Sequence, residues 1–454
     1  MLQLPKEYTE RMKKLLGDGY DAYLASLAEP PVRAFRVNTE KISLSEFERI
    51  NVFSDKRVPY TANGFYLDYE SIGTHPYHHA GMIYVQEPAA MAPAECIDIS
   101  PDWTVLDLCA APGGKSSQIR NKLGEKGVLV SNEIISSRCR ILTGNIERLG
   151  LPDTVTTCMD SEKLAKIFPK SFDMIMVDAP CSGEGMLRKE SAALTEWSLD
   201  NVNMCAQRQR NILDNAVKAL KNGGYIVYST CTFSLEENEM TVDTFLAAHP
   251  EFELIPVTER VFKYTEPGVS FEGCRTENIH YCRRFYPHKM PGEGQFMAVL
   301  HNTLPRDDEN EAFQKAYQKP KIDRVITDFL TDTLSSFDAS HLKVYNGNPV
   351  IFSSSFTVPD RVAFSCGITV GEVRKGYILP HHQFFMGMGK HFKRRIELPL
   401  DSDELKAYLR GEEIPTDCEN GWAVVTVNGC AVGGAKAVNG TAKNHYPKGL
   451  RNKQ

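Results

Sequence analysis

Between residues 104 and 232 short apolar runs alternate with longer stretches in which apolar residues recur every three or four positions. The runs are TVLDLC, GVLVSNE, TVTTCMD, FDMIMVDAP and GGYIVYSTCT. Runs of this length read as strands, and the three-to-four spacing of SRCRILTGNIERLG and NMCAQRQRNILDNAVKALKNGG reads as helices. The second helix is expected to stop at its terminal Gly-Gly. The alternation predicts an α/β fold with a Rossmann-like, doubly wound parallel sheet over 91–304, with FELIPV and QFMAVLH as closing strands.

The flanks follow other patterns. Residues 1–90 predict a small α+β module: two short amphipathic helices with a Gly-containing break, a strand at RAFRVNT, and a helix start where Ser43 and Glu46 have capping-box spacing. The charged stretch PRDDENEAFQKAYQKPKIDR marks a boundary near 305, followed by a linker and intermediate unit over 305–384. Residues 385–454 predict a β-rich domain, with two strands around the Asn-Gly turn of WAVVTVNGCAVGGAKAV.

Composition narrows the class. Apolar content of 42% and charged content of 24% fit a soluble globular protein of several domains. Twelve cysteines are scattered without a C-x-x-C pair, and neither a leader nor a long apolar run is present, so a reduced, cytoplasmic, non-membrane protein is expected. The histidines of HPYHHAG and PHHQFF read as loop and core residues, and no metal is expected. A net charge of −6 leaves nucleic-acid contact to local basic patches.

In open parallel sheets ligands bind at the carboxyl ends of the strands. Those ends hold Asp107, Glu133, Asp160 and Asp178, the loop Cys109, Ala110, Ala111, Pro112, Gly113, Gly114 and Lys115, and the thiols Cys181 and Cys231. The Gly-Lys-Ser of this loop is not a P-loop, because Cys109 occupies the position that requires Gly. Glu133, about twenty residues beyond the turn, is placed to accept from ribose hydroxyls, and Asp160 can meet an adenine amino group. No pyrophosphate cradle accompanies them, so S-adenosylmethionine fits better than a dinucleotide. Two strand-end thiols suggest nucleophilic use. Cytosine carbon 5 is methylated only after a thiolate adds at carbon 6, and Asp178 is a candidate to stabilise that addition. Chemistry alone does not rank the two thiols.

At LDLCAAPGGKSSQI, NEIISSRCRILTGNIERLG, VDAPCSGEGM and YSTCTFSLEENE the sequence resembles the RNA cytosine-5 methyltransferases. The likeness extends to RAFRVNT, YVQEPAAM and RRFYPHKMPGEGQFMAVL, and the C-terminal part resembles the bacterial 16S rRNA methyltransferases of the RsmF type with their PUA-like RNA-binding end. The resemblance implies an N-terminal RNA-binding module, a catalytic core and a PUA-like domain. It implies S-adenosylmethionine held by Cys109–Lys115, Glu133, Asp160 and Asp178, Cys231 as nucleophile, and Cys181 assisting product release. The implied substrate is 16S rRNA or the small ribosomal subunit, and the protein is expected to act as a monomer. A tRNA cytosine methyltransferase shares the core motifs, and a non-catalytic assembly factor would share the fold but has no need of the thiols. Arg33, Arg36, Lys436, Lys443, Lys448 and Arg451 are candidates for phosphate contact.

Overall fold

Two helices, Lys6–Leu16 and Tyr20–Ser26, joined by a single 3-10 turn, precede a small antiparallel sheet. In that sheet β1 (Ala34–Val37) lies between β2 (Gly64–Tyr66) and β3 (Ile83–Val85). The computed structural model describes residues 4–188, 197–306, 322–359 and 361–452. Helix Leu44–Ile50 carries the capping box: Glu46 N–H donates to Ser43 Oγ at 3.3 Å, and Ser43 N–H donates to Glu46 Oε2 at 3.2 Å.

The five central apolar runs become parallel strands β4 (Thr104–Asp107), β5 (Val128–Asn132), β6 (Thr154–Thr157), β7 (Phe172–Asp178) and β8 (Leu220–Thr230), side by side in the order β6-β5-β4-β7-β8. β5 and β6 are buried throughout and β4 and β7 nearly so, and β8 is buried from Ile226 onward, as apolar runs require when both faces are covered. β9 (Phe252–Ile255), β10 (Glu266–Pro267), β11 (Arg283–Phe285) and β12 (Gln295–Asn302) close the sheet antiparallel beyond β8. The strand order reverses at β4, so a crevice opens at the carboxyl ends of β4, β5 and β7.

Two expectations change. The helix before β8 ends at Ala219, short of the Gly-Gly, because Leu220 already pairs with Phe172. Gly223 and Gly224 instead sit in an irregularity of the ladder, where Gly223 has φ +68° and a Cβ on Gly224 would lie 2.9 Å from Asp173 O. The second change concerns 305–384. Most of the charged boundary, residues 307–321, lies outside the described residues. Downstream, Ala363–Cys366 adds antiparallel to β6, and Tyr345, Phe352 and Cys366 share the core of the central sheet. This part of the segment is an edge strand and outer layer rather than a linker, because β6 would otherwise present unpaired backbone groups. Asp153 fixes the join by accepting from Ser353 N–H and O–H, both at 2.6 Å.

The C-terminal domain is a five-stranded sheet containing Gly421–Val427 and Cys430–Val438, with Asn428 and Gly429 at positive φ in the turn between them. It is not separate from the N-terminal module. Phe35, Val37, Phe47 and Ile83 share one apolar core with Tyr408, Val425, Val432 and Tyr446. His79 accepts or donates at both ring nitrogens across this junction, to Tyr446 Oη at 2.8 Å and Asn452 Oδ1 at 2.9 Å. His75 and His381 cap short helices, and His382 is buried. Among the described residues no helix is long and apolar enough to cross a membrane.

Candidate active site

β4 delivers Asp107 to the crevice, and the chain turns at once into helix Gly114–Arg120. Gly113 makes the turn possible: its φ is +111°, and a Cβ there would lie 3.2 Å from Leu142 Cδ1. Asp107 Oδ2 accepts from Ser116 Oγ at 2.7 Å, while Oδ1 is buried with no hydrogen-bond partner. Burial raises the Asp107 carboxyl to about 7. Lys115 Nζ reaches across to Asp178 Oδ2 at 2.8 Å, and Asp178 Oδ1 accepts from Ser229 Oγ at 2.7 Å. Glu133 is 3% exposed, accepts from Ile135 N–H at 3.0 Å and pairs with Arg138 at 3.1 Å. Asp160 is exposed and caps helix Ser161–Ile167 through Lys163 N–H.

These groups surround one cleft of about 930 Å³. Cys109 to Pro112, Gly114, Lys115 and the four carboxylates all line it, whereas Gly113 shapes the loop from behind. Burial pushes the Cys109 thiol well up, so it serves as wall rather than nucleophile.

Cys181 and Cys231 line the same cleft. They come from loops fifty residues apart after the adjacent strands β7 and β8, yet their sulfurs lie 3.1 Å apart, both reduced. The hydrogen bond with Cys231, followed by burial, pushes the Cys181 thiol well up. The two loops are tied repeatedly. Gly185 N–H donates to Cys231 O at 2.8 Å, Phe233 N–H donates to Glu184 Oε2 at 3.1 Å, and Ser182 Oγ meets Thr232 Oγ1 at 2.9 Å.

The cleft also holds groups the sequence reading passed over: Gln86 and Glu87 after β3, Arg208 and Asn211 on helix Leu199–Ala219, and Gln295 at the start of β12. YVQEPAAM was the available signal for the first pair, but nothing in it shows that the N-terminal module walls the crevice.

The basic residues divide. Arg33, Lys436, Lys443 and Lys448 are exposed, and Lys436 and Lys443 are direct partners on neighbouring strands. Arg451 is half-buried and donates to Tyr446 O. Arg36 corrects the expectation of a phosphate contact. It is 1% exposed and spends its guanidinium on Gln86 Oε1 at 2.7 Å, Gly114 O at 2.5 Å and Ser117 Oγ at 2.7 Å. None of these exposed cations lines the crevice.

Family comparison covers most of this architecture. Residues 94–301 match the model for 16S rRNA methyltransferase RsmB/F, residues 4–88 the N-terminal domain of 16S rRNA methyltransferase RsmF, and residues 395–452 the methyltransferase RsmF PUA domain. Ribosomal RNA small subunit methyltransferase F of Enterobacter sp. (strain 638) is 31% identical, over 98% of this chain and 95% of the relative. The protein of the same name from Erwinia tasmaniensis is 29% identical, over 98% and 96%. Among solved structures, a methyltransferase homolog from Pyrococcus horikoshii superimposes with a TM-score of 0.60 at 32% identity, covering 66% of this chain and 96% of that one. NSun6 from the same organism, solved with SFG, has a TM-score of 0.56 at 24% identity over 66% and 99%, and shares the fold.

Proposed function

This chain belongs to the RsmF-type 16S rRNA methyltransferases, and on that premise we propose that it methylates carbon 5 of a cytosine in 16S rRNA through a covalent cysteine–RNA intermediate. The observation that carries this reading is the pair of reduced thiols 3.1 Å apart in the cleft that also holds the four carboxylates.

The residues present fit S-adenosylmethionine. Glu133 offers a buried carboxylate for vicinal ribose hydroxyls, Asp107 Oδ1 waits for a donor, and Cys109–Lys115, Asp160 and Asp178 complete the walls. When bound, this cofactor supplies a methyl group activated by its sulfonium. The chain's own part begins with the target base, which must be unpaired or flipped out to enter. The Cys231 thiolate adds to carbon 6, making carbon 5 an enamine nucleophile. Asp178, oriented by Lys115 and Ser229, stabilises the addition near the ring nitrogen and exocyclic amine. After methyl transfer the carbon 5 proton passes to a solvent base. The electrons of the broken carbon–sulfur bond return to Cys231. Cys181, whose thiol holds its own proton, hydrogen-bonds that departing sulfur. The raised Cys181 thiol supports its role as helper, and the choice of Cys231 as nucleophile rests on family likeness.

Labelled methyl transfer to small subunits, naked 16S rRNA and bulk tRNA, followed by nucleoside digestion, tests the product and the substrate. 5-Methylcytidine in rRNA or subunits is expected; label in tRNA alone overturns the substrate. Cys231→Ala is expected to abolish turnover and still bind S-adenosylmethionine. Full activity in that variant refutes the mechanism.

A further inference from the structure

Six residues beyond Cys231 stands Glu237, fully buried and outside the cleft. Its carboxylate accepts Ser182 N–H at 3.0 Å, Ser182 O–H, and Gln209 Nε2–H at 2.8 Å. Ser182 is the residue after Cys181. Gln209 also donates to Pro180 O at 3.1 Å, the residue before it. The thiol of Cys181 is therefore bracketed on both sides by groups that converge on one carboxylate carried by the Cys231 loop. Tyr228 Oη in turn donates to Glu237 O at 2.5 Å and anchors that carboxylate's backbone to β8.

We propose that Glu237 is a positioning residue: its carboxylate fastens the Cys181 loop to the Cys231 loop and holds the Cys181 thiol against the departing Cys231 sulfur during product release. The inference rests on the covalent mechanism proposed above and adds a residue that touches neither substrate nor cofactor. Buried carboxylates cost free energy unless their lone pairs are filled, and Glu237 accepts three donors, two from Ser182 and one from Gln209 on helix Leu199–Ala219. A purely structural carboxylate would be as well served by any donors. Here two of the three belong to the residue adjoining one thiol, and the third donor also grips the other side of that thiol. Burial raises the Glu237 carboxyl to about 7, and its charge adds to the effects that keep Cys181 protonated. Both favour a thiol that donates to, rather than competes with, the leaving sulfur.

The experiment compares Glu237→Ala, Glu237→Gln and Cys181→Ala in the full-length protein under turnover with 16S rRNA. For each, kcat and KM are measured, and denaturing gels report the RNA–protein adduct. Both Glu237 variants are expected to lower kcat by about 10- to 100-fold, to shift KM for RNA by less than about two-fold, and to accumulate the adduct, as Cys181→Ala does. Glu237→Gln keeps the side-chain volume, so a folding defect confined to Glu237→Ala leaves the test intact. Wild-type kcat per folded molecule and no adduct in Glu237→Gln, beside a clear adduct in Cys181→Ala, overturns the proposal. An adduct missing from Cys181→Ala as well overturns both readings, and traces the failure to the thiol rather than to its brace.

Discussion

Arg36→Ala separates two roles that a sequence cannot tell apart. In the fold this arginine leaves β1 and enters the base of the Cys109–Lys115 loop, donating to Gln86 Oε1, Gly114 O and Ser117 Oγ. Truncation leaves Gln86 Oε1 and Gly114 O without their charged donor, each costing about 1–3 kcal/mol. Gly114 O keeps Ser117 Oγ at 2.9 Å, which trims the loss. Removing a guanidinium whose burial already pulls it down to about 10 returns part of its desolvation cost. The net destabilisation is about 2–4 kcal/mol. At roughly 2–4 °C per kcal/mol for a folding unit of this size, 3 kcal/mol lowers the melting temperature by about 6–12 °C. Thermal denaturation measures this, and the same variant is titrated with RNA across a salt series. A phosphate contact to single-stranded RNA contributes about 0.7 to the slope of log affinity against log salt. Arg36→Ala is expected to leave that slope unchanged, whereas Arg33→Ala, on an exposed residue, leaves the melting temperature alone. An unchanged melting temperature with a slope reduced by about 0.7 would refute the assignment of Arg36 to the interior.

Two further outcomes follow from other parts of the molecule. The triple variant Lys436→Ala, Lys443→Ala, Lys448→Ala is expected to lower the salt slope of RNA binding by about 2 while kcat at saturating RNA holds; an unchanged slope removes this face from the RNA interface. Burial raises Glu147, on helix Ser136–Leu149, from 4.5 to about 7. Between those values the folded chain holds more protons than the unfolded one, so stability contributed here is greatest at low pH and falls as pH rises through 7. Glu147→Gln escapes this loss, and its melting temperature is expected to exceed wild type at pH 8 by a margin that shrinks toward pH 5; a constant margin refutes it.

The parallel sheet was legible because each central run is rich in apolar and β-branched residues and then ends at a carboxylate or a thiol. Asp107, Glu133, Asp178, Cys181 and Cys231 announce the crevice by position alone. Arg33 and Arg36 show the limit. They stand three residues apart in one basic strand segment, and only the arrival of helix Gly114–Arg120 buries the second. Glu237 and Gln209 were illegible for the same reason, since their meaning lies in Ser182, distant in sequence and adjacent in space. Ala363–Cys366 was hidden differently: four residues carry too little periodicity to mark an edge strand, and its partner β6 lies two hundred residues upstream.

The core shared by the two ends of the chain sets an order of events during synthesis. Phe35, Phe47 and Ile83 leave the ribosome early, while Tyr408, Val425, Val432 and Tyr446, which cover them, are made more than three hundred residues later. At a translation rate of about 5–20 residues per second, the first module waits some tens of seconds with an open apolar flank. The central sheet has no such debt to most of the C-terminal residues and can close first. The apolar core of the first module is thus completed only when the last segment of the chain has been made.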